Sequence, residues 1–106
     1  MTDQALLLMM TDVSDEHEAA YNAWYNDVHI PELMQLPGFI SAERFRQIGP
    51  GIRYLAVYRL ASPEAVENET YKKWRAASES TQFWVSRFTA MERHLYQRIF
   101  AASAGG

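Results

Sequence analysis

Cysteine is absent from this chain of 106 residues. Its absence excludes disulfide bonds, thiolate nucleophiles and cysteine-ligated zinc or iron–sulfur sites. Positive charge is not in excess either, because ten basic residues stand against thirteen acidic ones and the formal net charge is −3. The two signs are interspersed along the chain, so no basic surface is predicted for nucleic acid or for an anionic membrane.

Long apolar runs are also missing, and none approaches the roughly 20 residues that a membrane-spanning helix needs. The opening residues Met1-Thr2-Asp3-Gln4 lack the positive charge that begins a secretory signal. We therefore expect a cytoplasmic protein.

The motifs of common metal and nucleotide sites do not occur. Without H-x-x-x-H or H-E-x-x-H, a metal site would have to combine His29, Glu32 and His94 or His17 from separate segments. The segment Gly49-Pro50-Gly51 is not followed by a helical pattern, so it predicts a hairpin turn and not a phosphate-binding loop. We expect neither a metal nor an organic cofactor.

Hydrophobic residues make up 48% of the chain, which is enough for one core, and we interpret residues 1–106 as a single domain. Strand and helix patterns follow one another in the order β-α-β-β-α-β, with a short helical pattern before the last strand. The predicted strands are residues 5–10, 39–48, 53–60 and 91–100, and the helices follow Ser14 and Ser62, with the short one inside 80–88. This order predicts an α+β fold in which an antiparallel sheet carries both long helices on one face.

Two of the predicted strands are apolar on both faces. Residues 5–10 are apolar throughout, and the strand 53–60 places Tyr54, Tyr58 and Leu60 on one face and Leu55 and Val57 on the other. Helices cover only one face of such a sheet, so the other apolar face would remain exposed. We therefore predict a homodimer in which this open face meets a second copy of itself.

The segment 21–39 concentrates aromatic surface beside a histidine. Tyr21, Trp24, Tyr25 and Val28 recur at the i, i+3, i+4, i+7 spacing of an amphipathic helix, and His29 follows one turn after Tyr25. We expect this helix to lay an aromatic face on the sheet.

Proline interrupts that helix. Pro31 has no N–H to donate and disfavours an α conformation at Ile30, so we expect a kink or a restart just after His29. Glu32 would orient the imidazole and favour its protonated form if helical geometry continued, and would otherwise be a solvated acid.

The same segment carries a family resemblance. Trp24-Tyr25, His29 and Pro31-Glu32-Leu33, followed by Pro37-Gly38-Phe39 and Arg44-Phe45-Arg46, resemble the EthD-like branch of the dimeric α+β barrel superfamily, and Tyr96-x-Arg98-Ile99 is similar to its last strand. The resemblance implies a ferredoxin-like β-α-β-β-α-β protomer that dimerises through its sheet. The related enzymes are cofactor-free isomerases, polyketide cyclases, dehydratases and small monooxygenases, so the resemblance implies an activity of this kind. It also identifies His29 with the recurring histidine of that group.

The space between the sheet and the helices is the predicted site. The catalytic candidates are His29 as the base and Tyr25 or Tyr54 as a hydroxyl donor. The substrate-binding candidates are large aromatic side chains and one acid: Trp24, Tyr58, Trp74, Phe83, Trp84, Tyr96 and Glu32. Each has a structural alternative, since most aromatics at such spacings are core residues and a histidine at a helix end often bonds a free carbonyl.

The resemblance and these residues predict a cofactor-independent isomerase, lyase or cyclase. Its substrate would be a small hydrophobic aromatic or polyketide-like carbonyl compound, from which neutral His29 removes a proton while a tyrosine hydroxyl stabilises the enolate. One alternative is a cofactor-free monooxygenase of an electron-rich aromatic, in which His29 generates a phenolate that reacts with oxygen. The other is a non-catalytic accessory protein that binds a hydrophobic ligand.

Overall fold

The computed structural model describes residues 4–105. Its strands are β1 (Ala5–Asp12), β2 (Phe39–Arg46), β3 (Tyr54–Leu60) and β4 (Ala90–Gln97). Its α-helices are α1 (Glu18–Trp24), α2 (Ile30–Leu33), α3 (Glu69–Ala77) and α4 (Glu79–Val85). Two 3₁₀ turns, Asp15–His17 and Pro63–Val66, precede α1 and α3. The first three residues, for which we predicted no secretory signal, lie outside the described residues.

The four strands form one antiparallel sheet in the order β2-β3-β1-β4. The hairpin β2–β3 places β3 against β1, and β4 pairs with the other edge of β1. The predicted ferredoxin-like α+β fold is therefore confirmed. No helix within the described range is long and apolar enough to cross a membrane.

The core lies between one face of this sheet and the helices. Along β3, Tyr54, Ala56, Tyr58 and Leu60 are buried while the residues between them are more exposed, as a strand with one covered face requires. Tyr21 of α1 is completely buried against this face, and its hydroxyl bonds to Thr11 of β1. The predicted division of β3 into two faces is confirmed.

The side-chain alternation of β2 is interrupted near its first residue. Strict alternation would place Phe39 on the same face as Ser41 and Phe45, but the register of β2 against β3 shifts between Phe39 and Ser41. This bulge turns Phe39 to the helix side, where its ring packs against Tyr58 and Tyr71, and leaves Phe45 on the open side. An extra residue in one strand reverses the side-chain alternation beyond it, which explains the difference.

The expected kink at Pro31 is a π-helical turn that spans Tyr25–His29. The N–H of Ile30 donates to the carbonyl of Tyr25, five residues earlier, and the chain then continues as α2. The wider turn accommodates a position where Pro31 supplies no N–H, so the helix neither breaks nor restarts. It also places His29 inward, on the same side as Trp24 and Tyr25.

The helix predicted after Ser62 is divided into two pieces. The 3₁₀ turn Pro63–Val66 ends before Asn68, whose side-chain Oδ1 accepts the N–H of Tyr71 at 2.8 Å and caps the start of α3. The short helical pattern inside 80–88 is α4, which begins and ends slightly earlier than predicted. Ser14, which precedes the first helical turn, makes no side-chain capping bond.

The last strand is shorter than predicted. It ends at Gln97, which pairs with Ala5, the first residue of β1, and just beyond this pair the N–H of Arg98 donates to the carbonyl of Gln4 at 2.8 Å. Ile99 and Phe100 are almost fully exposed, at 96% and 82%.

The second face of the sheet is not covered by helices. Its central residues are apolar and half-buried, and cross-strand pairing places Leu8 of β1 beside Val57 of β3. The same face carries Glu43 and His94 on the outer strands, opposite Val57 and Leu8 respectively. We call this surface the open face, and its pattern is an apolar centre with a polar rim.

Candidate functional site

A narrow cavity lies between the sheet and the helices beside His29. Its walls are aliphatic and aromatic side chains from every layer of the fold: Leu7, Met9, Trp24, Tyr25, Leu33, Tyr58, Tyr71, Trp74, Val85 and Phe88. Three further side chains, His29, Thr81 and Arg75, supply polar groups. The cavity volume is about 30 Å³, enough for one or two water molecules and far below the roughly 300–1,000 Å³ of ordinary ligand pockets.

His29 is held in this cavity by ring contacts on several sides. Its imidazole stacks on Trp24 with a centroid distance of 4.4 Å, meets the Tyr25 ring edge-on at 5.0 Å and lies 5.7 Å from Trp74. Its Nδ1 lies 3.4 Å from the hydroxyl oxygen of buried Thr81 on α4. The ring is thus oriented by packing and one polar contact, with no carboxylate partner among the residues described.

Burial, and then the nearby Arg75 guanidinium, lower the pKa of His29 to about 4. Both effects disfavour the imidazolium, so the ring is neutral near pH 7 and accepts protons only when a new negative charge appears beside it. Of the two alternatives for Glu32, a carboxylate that orients the imidazole or a solvated acid, the structure shows the second. Glu32 is exposed, and its Oε1 accepts the indole N–H of Trp74 at 3.3 Å. In that position the carboxylate keeps its hydration, which the apolar cavity would remove.

Folding stability should therefore decrease as the pH falls from about 6.5 toward about 4. In this window His29 of the unfolded chain binds a proton and the buried ring does not, so lowering the pH favours unfolding. The shift in pKa corresponds to about 3 kcal/mol, which is fully present above the unfolded value. Urea unfolding near pH 7 and near pH 4.5 measures the loss, and His29→Gln should remove this part of it. Equal pH dependence in the two proteins would contradict the burial of a neutral ring.

Tyr25 and Tyr58 form a buried hydroxyl pair in the same cavity. The Tyr58 hydroxyl donates to that of Tyr25 at 3.3 Å, which leaves the Tyr25 proton available to a ligand. Burial raises the pKa of Tyr25 to about 12, and burial and the Tyr25 hydroxyl raise that of Tyr58. Both groups therefore stay protonated, which is the state that a hydrogen-bond donor to an oxyanion needs.

Tyr54 is not part of this cavity. Its hydroxyl donates to a carboxylate oxygen of Glu18 and accepts the side-chain N–H of Asn22 at 3.2 Å. The guanidinium groups of Arg44 and Arg53 lie over its ring. The structure therefore does not bring Tyr54 together with His29, because its position in β3 directs it to a polar network with Glu18 and Asn22 of α1.

Three of the aromatic candidates lie in the cavity walls and three lie elsewhere. Trp24, Tyr58 and Trp74 line it. Trp84 is buried behind Trp24, against Tyr21, and Phe83 is half-exposed under the guanidinium of Arg87. Tyr96 lies on the open face beside Leu6, because its position in β4 points away from the helices.

Sequence reasoning missed two polar residues of the cavity, Arg75 and Thr81. Arg75 was not among the candidates, although it lies four residues after Tyr71 and therefore shares its side of α3. No local signal distinguishes Thr81, since its contact with His29 joins residues 52 positions apart. Among residues 4–105, no group of three or more His, Asp or Glu side chains is placed to hold a metal ion, and His94 is paired with Glu92 at 3.1 Å.

Comparison with known proteins identifies a family for this chain and solved structures that share its fold. A family model described as "Domain of unknown function (DUF4286)" matches residues 4–98. Curated proteins give no significant sequence match. Solved structures share the fold over nearly the whole chain.

Three of these structures illustrate the likeness. A proposed monooxygenase from Shewanella loihica is 22% identical with a TM-score of 0.66, covering 95% of this chain and 99% of its own. SnoaB, a cofactor-independent oxygenase from Streptomyces nogalater, is 12% identical with a TM-score of 0.66 and coverages of 93% and 96%. The heme-degrader MhuD from Mycobacterium tuberculosis, solved with two hemes in its active site, is 13% identical with a TM-score of 0.63 and coverages of 93% and 99%. The TM-scores and coverages of these structures show that this chain shares their ferredoxin-like fold. Membership of the EthD-like branch of the dimeric α+β barrel superfamily remains a prediction.

Proposed function

This chain belongs to the DUF4286 family, whose description names no activity, and we propose that it is a cofactor-independent oxygenase of a small, electron-rich phenol. The observation that carries the proposal is a neutral, largely buried imidazole facing an apolar, aromatic cavity beside a protonated tyrosine pair. Neighbours that share its fold include an oxygenase that works without a cofactor, which favours this reading over the isomerase, lyase or cyclase.

In the proposed reaction, His29 accepts the phenol proton as the substrate ionises. The resulting phenolate is electron-rich enough to reduce oxygen, so the substrate itself is the reductant. One oxygen atom enters the ring as a carbonyl and the other leaves as water, giving a quinone from a phenol and O₂. The free proton of Tyr25 hydrogen-bonds to the developing oxyanion, and the apolar walls exclude bulk water.

Trp74 is the side chain that must move to admit a substrate. It lines the small cavity on one side and, on the other, an open groove of about 590 Å³ that also includes Glu32, Leu36 and Ser80. Its indole is held across this boundary by the single hydrogen bond to the exposed Glu32. We propose that Trp74 swings aside so that groove and cavity become one pocket. The predicted substrate-binding role of Glu32 thus becomes indirect.

The isomerase, lyase or cyclase hypothesis uses the same residues but consumes no oxygen. A non-catalytic binding protein would use only the walls. Homodimerisation, membership of the EthD-like branch and a cytoplasmic location remain part of the proposal, as expectations from the sequence.

Oxygen consumption with a panel of mono- and dihydric phenols tests the proposal. Protein treated with a chelator and free of flavin and heme absorbance should consume one molecule of oxygen per molecule of substrate. With ¹⁸O₂, one labelled atom should appear in the quinone product, because the other leaves as water. Equal turnover without oxygen would indicate an isomerase or lyase, and saturable binding without turnover would indicate an accessory protein. Turnover that depends on added heme or flavin would also contradict the proposal.

A further inference from the structure

Arg75 is the one charged side chain among the described residues that line the cavity beside His29. It comes from α3 and stands in a wall made otherwise of apolar, aromatic and neutral polar groups. A guanidinium remains charged at any physiological pH, so this cavity has a fixed positive charge.

No carboxylate in the described part of the chain forms an ion pair with Arg75. The ion pairs found there involve other residues, namely Arg46, Arg53 and His94. The hydrogen bond of Arg75 runs from Nη1 to the neutral hydroxyl of Tyr71 at 3.3 Å, four residues earlier on the same helix. Most of the N–H donors of Arg75 are therefore available to an anionic ligand.

A structural role would be interaction with the carbonyl end of α3, where a cation is favourable. That role explains a positive charge in the last turn but not its placement on the cavity wall. Exposed Lys72 and Lys73 show that α3 also carries cations on its solvent side. Beside the cavity, Arg75 disfavours protonation of His29 and stabilises a negative charge on Tyr25, so it acts electrostatically on the groups that face the ligand.

We propose that Arg75 binds an anionic oxygen of the substrate, so the ligand class is an aromatic anion, with its ring among the aromatic walls of the cavity and its charged oxygen toward the guanidinium. This inference rests on the proposed function for the aromatic substrate, and it adds that Arg75 stabilises the anion that forms in the cavity when the substrate loses its proton. A buried oxyanion without a cation would lose its hydration with nothing to replace it, whereas the guanidinium offers charge-assisted hydrogen bonds. Arg75 thereby favours the phenolate form that the proposed reaction needs.

The probe for this proposal is 4-nitrophenol, whose visible absorbance reports its own ionisation. The other titratable groups with shifted pKa values in the cavity, His29, Tyr25 and Tyr58, stay neutral near pH 7, and Tyr71 is also a phenol. The colour of the bound probe therefore follows its own proton. Its pKa should fall on binding to the native protein, because a fixed cation favours the anion.

In Arg75→Gln the pKa of the bound probe should rise instead, because apolar burial without the cation disfavours the anion. Affinity for the phenolate should drop by about 10- to 100-fold, the effect of losing a charge-assisted hydrogen bond. Affinity for neutral nitrobenzene should change little. Arg75→Lys should restore part of the pKa decrease, and Lys72→Gln, a charge removal on the solvent side of the same helix, should behave as the native protein.

The proposal would be overturned if the pKa of 4-nitrophenol rose on binding to the native protein. It would also be overturned if that pKa still fell on binding to Arg75→Gln. The lack of saturable binding of the phenolate to the native protein would overturn it as well. Competition with benzoate distinguishes the two sources of an anionic oxygen: displacement that depends on Arg75 indicates a carboxylate substrate, and displacement by phenolates alone indicates an ionised hydroxyl. Because 4-nitrophenol binding is measured without oxygen consumption, a failure of the oxygenase proposal leaves these outcomes unchanged.

Discussion

Replacement of His29 by alanine or glutamine should reduce turnover by about 10²–10⁴-fold, the usual contribution of a general acid–base group. Glutamine retains hydrogen-bonding atoms but accepts no proton, so it should be as inactive as alanine. The pKa of about 4 sets the form of the rate profile as well. The ring is already neutral near pH 7, so activity should be flat there and decline only on acidification toward that value.

The two variants are not equivalent in stability. The imidazole stacks on Trp24 and lies against Trp74, so alanine removes packing that glutamine largely keeps. His17→Gln is the matched control, because it makes the same chemical change at a ring that contacts Trp84 outside the cavity. Turnover should be compared in proteins with similar unfolding midpoints. Near-native turnover of His29→Gln would show that His29 only positions the substrate and that another group accepts the proton.

Replacement of Val57 by glutamate should convert a stable dimer into a monomer of 12.2 kDa. Val57 lies at the centre of the open face beside Leu8, where our proposed dimer buries both residues. In a two-fold interface each substitution occurs twice. At about 3 kcal/mol for each unpaired buried carboxylate, the dissociation constant should rise by about 10⁴-fold. Light scattering at micromolar concentration measures the mass of both proteins.

Val28→Glu serves as the control for this experiment. Val28 is a partly exposed valine in the π-helical turn, in the layer opposite the open face, so the same change should leave the dimer intact. A native protein that scatters as a 12.2 kDa monomer would sink the dimer prediction. It would also require the apolar centre of the open face to remain in contact with water.

The arrangement of elements could be predicted because it depends on neighbours in the chain. Side-chain alternation in β3 and the i, i+3, i+4 spacing of the aromatic helix are properties of consecutive residues, and together they indicate a sheet with one helix-covered face. Single local events changed the pattern at two places. The bulge after Phe39 reversed the side-chain alternation of one strand, and a π-helical turn stands where a kink or a restart was expected after His29.

The sequence by itself determined the fold class, the apolar open face and the place of His29 next to an aromatic helix. Only the tertiary structure decided which groups share the cavity. Thr81 of α4 and Arg75 of α3 line it. Tyr54 instead lies in a polar network, and Glu32 lies at the surface. The proton affinity of His29 was decided in the same way. Its pKa depends on desolvation and on the charge of Arg75, which is close in space but far away in the chain. Both effects come from packing between separate segments, which local spacing does not encode.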